Sequence, residues 1–200
     1  MKEINRRRDF TIKRVAELRA ELKDADAIAA GKACVYATGS YGRCEASEFS
    51  DLDIFIVGKN DGREKQGSQL SQLDEICIKA DLIEVSRRLR FPDFTDDGRY
   101  LVHYSLNDFT KTLGTPEDDV MNTFTARLLL LLESCSLIGS PVYQEIAGDV
   151  IAQYWRDYGD HKSDFMPAFL ANISDDQKFF ILSEQLIECF RRTTKGRIIN

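Results

Sequence analysis

The chain has 200 residues, of which 43% are hydrophobic, and its formal net charge at pH 7 is −6. This length and apolar content predict one domain, or one domain with a helical appendage, built around a sizeable core. The negative net charge argues against general nucleic-acid binding, which requires a basic surface.

The first predicted element is a helix over residues 2–30. Val15, Leu18 and Leu22 recur at spacings of three and four residues, which is the apolar stripe of an amphipathic helix. Gly31 is expected to end this helix and to lead into the first strand.

The apolar, β-prone segment 33–37 predicts a buried strand that ends at a turn of small residues. Gly39 lets the backbone turn sharply and approach a ligand closely, because it has no Cβ. Ser40 is expected to cap the next helix and to bond a phosphate oxygen. Arg43 adds a cation that suits phosphate geometry. These three residues form a candidate nucleotide-binding turn.

Two acidic residues stand at the entrance of a second predicted strand, residues 54–57. Asp51 and Asp53 are two positions apart, so their side chains leave the same face, while Leu52 points into the core. Paired carboxylates suit Mg²⁺, which keeps several waters and takes its other ligands from substrate phosphates. Asp51 and Asp53 are therefore candidate metal ligands.

The run T-G-S-Y-G-R at 38–43, followed by S-D-L-D at 50–53, resembles the DNA polymerase beta-like nucleotidyltransferase superfamily. The superfamily signature is Gly-Ser, a helical turn and an acidic-x-acidic pair, and it is met by Gly39, Ser40, Asp51 and Asp53. The local sequence of these two runs is most similar to the protein- and small-molecule-modifying branches of the superfamily. The resemblance implies an α/β (α+β) fold with a small mixed sheet flanked by helices.

A loop is expected over residues 59–67, and a helix follows it. This helix is expected to pack on the sheet through an apolar face at helical spacing, formed by Leu70, Leu73, Cys77, Ala80 and Ile83. Pro92 is expected to end the region.

The next predicted strand covers residues 99–106. In the resembling superfamily a third carboxylate lies on the corresponding strand in chain order, but the strand predicted here contains His103 and no acid. Asp97, just before it, is the candidate third catalytic acid, and a plain Asp-Asp-Gly turn is the alternative. His103 is expected to be a half-buried, hydrogen-bonded residue rather than a catalyst.

Thr115 and Pro116 predict the start of a buried helix that continues to about Ser134. On this helix we expect Arg127 to pair with a nearby acid, Asp118 or Glu133. Further helices are predicted over residues 142–158, 165–172 and 175–192. The expected organisation is a catalytic core with its N-terminal helix over residues 1–112 and a helical C-terminal region over residues 113–200.

The five cysteines are scattered and form no C-x-x-C pair, which argues against a zinc site or a disulfide framework. Cys34, Cys77 and Cys135 have apolar neighbours and are expected in the core. Reduced thiols, the lack of a membrane-spanning stretch and a charged N-terminus lead us to expect a cytoplasmic protein with no membrane contact.

The resemblance implies an enzyme that transfers a nucleoside monophosphate from an NTP, such as ATP, to a hydroxyl of a protein or small molecule and releases pyrophosphate. Asp51 and Asp53 would hold Mg²⁺ or Mn²⁺, and Asp97 would complete the catalytic set. Two alternatives stay open. One is a catalytically weak nucleotide-binding or toxin/antitoxin-type interaction protein, and the other is a synthase of cyclic or oligonucleotide signals. A homo-oligomer is compatible with all three.

Overall fold

The computed structural model describes residues 2–62, 67–94, 101–113 and 115–154. The chain divides into two compact units, residues 1–148 and 149–200, and the sheet lies in the first. The helices predicted beyond residue 154 lie outside the described residues, as does Asp97. The predicted division at residue 112 stays a prediction.

A four-stranded mixed sheet has the strand order β3-β2-β1-β4. In chain order the strands are β1 (Ala33–Thr38), β2 (Ile54–Gly58), β3 (His103–Ser105) and β4 (Ser134–Ile138). β1 is antiparallel to both β2 and β4, whereas β2 and β3 are parallel. The end of β1 and the starts of the other three strands therefore lie at one edge of the sheet.

Eight helices accompany the sheet within the described part of the chain: α1 (Lys2–Glu21), α2 (Lys23–Ala29), α3 (Gly39–Gly42), α4 (Gln72–Arg88), α5 (Leu106–Lys111), α6 (Pro116–Val120), α7 (Thr123–Leu132) and α8 (Ser140–Tyr154). None of these helices is long and apolar enough to cross a membrane. The predicted α/β class, with a small mixed sheet flanked by helices, is confirmed.

Both faces of the sheet are covered, because β1 is buried at all six positions. On one face, Val35 and Ile56 join a core that also contains Leu18, Ile78 and Leu82 from α1 and α4. The other face carries aromatic side chains that contact one another: Tyr36, Phe55, Tyr104, Phe109 and Tyr143. Packing on both faces of the sheet positions the strand ends that form the edge described below.

The predicted N-terminal helix exists but is divided at Leu22. Leu22 is completely buried between α1 and α2, as the apolar stripe predicted. α2 ends one residue before Ala30, which has left-handed backbone angles. Gly31, also at positive φ, then turns the chain toward β1 as expected.

The predicted buried face is wrong within α4, although Leu70, just before the helix, is buried as expected. Ile78, Leu82 and Val85 are at most 1% exposed, whereas Leu73 is 74% exposed. Cys77, expected in the core, is also exposed. α4 carries apolar residues on two sides, and its packing against α1 and α2 selects the side that the chosen pattern did not contain.

The predicted helix up to Ser134 is interrupted. Asn122 adopts a left-handed conformation (φ 56°) between α6 and α7, which Asn tolerates better than most residues. α7 then stops at Leu132, and Ser134 begins β4, a strand that the sequence analysis missed. β3 is shorter than predicted, because Leu106 already belongs to α5.

Candidate active site

The turn after β1 brings the backbone against an acidic side chain. Thr38 pairs with the start of β2, since its N–H donates to the Asp53 carbonyl at 2.9 Å. Gly39 follows with φ +61°, and a Cβ built on it would lie 3.2 Å from Asp53 Oδ2. Glycine suits this position, because the backbone angle is left-handed and because a Cβ would press on the carboxylate.

The sequence analysis expected Ser40 to cap the helix after β1, but the structure shows that it does not. The N-cap position belongs to Thr38, whose side chain makes no capping hydrogen bond, and Ser40 lies inside α3. The Ser40 carbonyl instead accepts from the Glu45 N–H at 2.8 Å, which helps to shape the loop between α3 and β2.

The loop that carries the two aspartates is fixed to α1. Within it, the Ala46 N–H donates to Thr11 Oγ1 at 2.9 Å in a buried contact. Leu52 is 4% exposed, whereas its neighbours Asp51 and Asp53 are exposed. The alternation expected from the sequence is therefore present, with the apolar residue in the core and both carboxylates on the outside.

A third carboxylate reaches this edge of the sheet from an unexpected element. Glu133 directly precedes β4, and β4 pairs with the end of β1 through Thr38 and Ser134. Partial desolvation beside the cavity, followed by repulsion from Asp51 and Glu133, raises the pKa of Asp53 above its ordinary value. The sequence analysis considered Glu133 only as a partner for Arg127, because its approach depends on a strand that was not predicted.

Arg43 lies beside the acidic edge and is engaged by two glutamates. Its guanidinium contacts Glu133 through Nη1 and Glu45 Oε2 through Nε, the latter at 2.9 Å. These hydrogen bonds raise the pKa of Arg43. Gly42 permits the arrangement, since a Cβ there would lie 2.0 Å from the Glu133 carbonyl oxygen. Arg43, the predicted phosphate-binding cation, is thus paired with two carboxylates in this structure.

A cavity of about 690 Å³ opens at this edge of the sheet. Gly39, Asp51, Asp53 and Glu133 line one part of it, together with Thr38. The structure therefore brings Gly39 together with both predicted metal ligands, whereas Ser40 and Arg43 do not line the cavity. Asp97 belongs to the residues outside the description.

His103 also lines the cavity, but both of its ring nitrogens have partners. Nδ1 lies 2.9 Å from Glu75 Oε2, and Nε2 lies 3.1 Å from Ser68 Oγ. The side chain is 12% exposed. This is the half-buried, hydrogen-bonded histidine that the sequence analysis expected, and it ties β3 to α4 and to the preceding loop.

Asp51 and Asp53 offer two exposed carboxylates at the cavity that could hold a divalent cation. Within the described ranges, no group of three or more His, Cys, Asp or Glu side chains forms a complete metal site. Two carboxylates nevertheless fit Mg²⁺, which needs few protein ligands when a substrate supplies phosphate oxygens.

The fold and this edge together define an α/β domain with a small-residue turn beside paired carboxylates, the class to which nucleotidyltransferases belong. The family model of the nucleotidyltransferase domain matches residues 15–122, which is more than half of the chain. The chain therefore belongs to the nucleotidyltransferase domain family, within the DNA polymerase beta-like superfamily, as the sequence predicted.

A comparison with curated proteins gives no match. Among solved structures, the chain is similar to one chain from a crystal structure of a toxin-antitoxin with AMP-PNP, at 11% identity and a TM-score of 0.32. The similarity covers 65% of this chain and 80% of that chain.

Proposed function

We propose that the protein transfers a nucleoside monophosphate from an NTP to the hydroxyl of a protein or a small molecule and depends on a divalent cation. Membership of the nucleotidyltransferase family supports the reaction type. The observation that carries the proposal is the close approach of the Gly39 backbone to the Asp53 side chain. There a glycine backbone, at positive φ, lies against the carboxylate at the mouth of a cavity large enough for a nucleotide.

Each residue of the edge has a part in this proposal. Gly39 lets the triphosphate approach the backbone, and Ser40 would bond a phosphate oxygen. Asp51 and Asp53 would hold Mg²⁺ or Mn²⁺ beside the phosphates. Arg43 would exchange Glu133 for a phosphate oxygen, because its guanidinium lies next to the turn and an arginine binds phosphate as readily as carboxylate.

In the reaction, the acceptor hydroxyl oxygen forms a bond to the α-phosphorus, and the bond from this phosphorus to the bridging oxygen breaks. Pyrophosphate leaves with the electron pair. Asp97 is proposed as the third carboxylate, which would take the proton of the hydroxyl. When bound, the divalent cation would supply charge neutralisation for the triphosphate and for the leaving group.

A labelling screen tests the proposal. The protein is incubated with each of four α-labelled NTPs and with Mg²⁺ or Mn²⁺, and label is sought on the protein itself, on added protein and on small molecules. Asp51→Asn and Asp53→Asn should abolish cation-dependent NTP binding, measured by calorimetry, and label transfer. Asp9→Asn is the matched control, since Asp9 is an exposed acid on α1 away from the cavity.

Three outcomes are informative. Label transfer that disappears in both site variants and persists in Asp9→Asn supports the enzyme. Cation-dependent NTP binding without any transfer supports the catalytically weak nucleotide-binding alternative. Unchanged binding and transfer in Asp51→Asn and Asp53→Asn would show that the edge of the sheet is not the site.

A further inference from the structure

Two cysteines flank one carbonyl oxygen where the turn after β1 packs on the start of β4. The Tyr41 carbonyl accepts from the Cys44 N–H at 3.3 Å, and the Cys135 thiol donates to the same oxygen at 3.8 Å. Cys44 ends the segment 41–44, and Cys135 ends the segment 133–135. The backbones of these two segments are in direct contact. The fold therefore brings together two cysteines that are far apart in the sequence.

Both of these thiols can be reached by a small oxidant. Cys44 and Cys135 are each partly exposed, whereas Cys34 is buried in β1 and Cys77 is an exposed residue of α4. Burial is the main cause that raises the pKa of the Cys135 thiol, and repulsion from the Cys44 thiolate adds to it. This repulsion agrees with the shared carbonyl in placing the two sulfur atoms near each other. A raised pKa also suits Cys135 to the second step of a disulfide-forming reaction, in which a thiol resolves an oxidised neighbour.

The same junction holds the cation of the proposed phosphate site. Arg43 directly precedes Cys44, and its Nη1 donates to the carboxylate of Glu133, two positions before Cys135. A covalent bond between the two cysteines would tie the ends of both segments together and keep Arg43 on Glu133. Under the proposed function Arg43 leaves Glu133 to bind a phosphate oxygen, so this bond would oppose nucleotide binding.

We propose that Cys44 and Cys135 are a redox-sensitive pair, and that their disulfide weakens NTP binding by holding Arg43 on Glu133. The effect on NTP binding rests on the proposed function, whereas formation of the disulfide does not. Reversible disulfides of this kind serve as redox sensors even in compartments that keep most thiols reduced.

The oxidant is a peroxide. The Cys44 thiolate attacks one oxygen of hydrogen peroxide, the O–O bond breaks, and the hydroxide that leaves takes up the proton that the thiol had lost. The product is a sulfenic acid and one water. The sulfur of Cys135 then attacks the sulfenic sulfur, which forms the S–S bond and releases a second water. Two thiols are thereby oxidised and one peroxide is reduced, and a reducing thiol such as dithiothreitol reverses the change.

Peptide mapping by mass spectrometry tests the pair itself. The reduced protein is treated with hydrogen peroxide, the remaining thiols are blocked with N-ethylmaleimide, and the protein is digested without reductant. We expect a cross-linked peptide pair that contains Cys44 and Cys135 and separates in dithiothreitol. Cys77→Ser is the matched control, because Cys77 is exposed but lies on α4, and this variant should form the same cross-link as wild type. Over-oxidation of Cys44 without a cross-link, or cross-links only between chains, would overturn the inference.

Calorimetry with an NTP and Mg²⁺ tests the effect on binding. The oxidised wild type should bind about tenfold more weakly than the reduced protein, because it loses one charge-assisted contact, and dithiothreitol should restore the affinity. Cys44→Ser and Cys135→Ser should bind equally well before and after peroxide. Arg43→Ala should bind weakly in both states, and oxidation should lower its affinity by less than about twofold.

The results separate the disulfide, its route of action and the proposed function. A loss of affinity on oxidation that is as large in Arg43→Ala as in wild type would overturn the role given to Arg43. Unchanged affinity of the cross-linked wild type would overturn the switch while leaving the proposed function in place. Absence of NTP binding by the reduced protein would refute the proposed function, and the peptide map would still decide whether the two cysteines form a pair.

Discussion

Replacement of the buried Arg127 should lower the free energy of unfolding more than replacement of any surface charge. Arg127 on α7 is fully buried and contacts the Asp118 carboxylate of α6 through Nη2. Its Nη1 donates to the Phe109 carbonyl of α5 at 3.0 Å and to Thr112 Oγ1 at 3.3 Å. One side chain therefore joins three helices, and of the two acids that the sequence analysis offered as partners, Asp118 and Glu133, Arg127 contacts Asp118.

The magnitude follows from what Arg127→Leu leaves behind. The Asp118 side chain is 9% exposed and would keep a charge without its guanidinium partner, although Thr123 Oγ1 still donates to it at 2.6 Å. The Phe109 carbonyl would lose its buried donor. Breaking such a buried pair costs about 3–5 kcal/mol. With an m-value of about 2 kcal/mol/M, the midpoint of urea unfolding should fall by about 1.5–2.5 M.

Urea unfolding followed by far-ultraviolet circular dichroism provides the measurement. Arg88→Leu is the matched control, because Arg88 is 51% exposed and pairs with Glu21 at 2.6 Å on the surface. It should cost less than about 1 kcal/mol. Arg127→Met combined with Asp118→Leu should recover much of the loss, since no charge is then left buried. A midpoint shift in Arg127→Leu no larger than that in Arg88→Leu would refute this reasoning.

Three further predictions concern the edge of the sheet. Asp53→Asn should stabilise the cation-free protein at pH 7 by less than about 1 kcal/mol, because the raised pKa of this exposed carboxyl means that its ionisation opposes folding. In thermal unfolding, this gain in stability should vanish as the pH falls below the ordinary carboxyl range. Gly39→Val should weaken NTP binding, measured by calorimetry, more than Ser40→Ala, because it places a branched side chain at φ +61° and against Asp53, and equal affinities would make the turn merely structural. Gly42→Ala should lower the free energy of unfolding by about 1–3 kcal/mol, since its Cβ would overlap the Glu133 backbone, and an unchanged melting temperature would contradict that packing.

The local part of the site could be predicted from the sequence. Residues 33–37 form a continuous apolar run that ends at a glycine, and such a run specifies a buried strand and a turn without help from distant residues. The alternation Asp51-Leu52-Asp53 likewise fixes which side chains face the core, because the period of an extended chain is two. These short-range rules place Gly39 in the turn after β1 and the two aspartates before β2, and the pairing of β1 with β2 then brings them together.

Glu133 and the buried face of α4 depend on contacts between distant segments, which is why the sequence did not reveal them. Glu133 reaches the edge only because β4 pairs with the end of β1. On α4, Leu73 and Ile78 belong to two different apolar stripes, and neither stripe is preferred by the helical period alone. The packing of α1 and α2 against α4 selects one of them, so the choice is a tertiary effect.

The antiparallel pairing of β1 with two strands explains why negative charge collects at this edge. The starts of β2 and β4 are brought to either side of Thr38, so Asp53 and Glu133 approach from both neighbours. Arg43 contacts Glu133 but does not line the cavity. Desolvation, followed by repulsion from Asp51 and Glu133, raises the pKa of Asp53. Under the proposed function a bound cation would offset this negative charge, so binding of a metal–nucleotide complex and the stability of this edge should rise together.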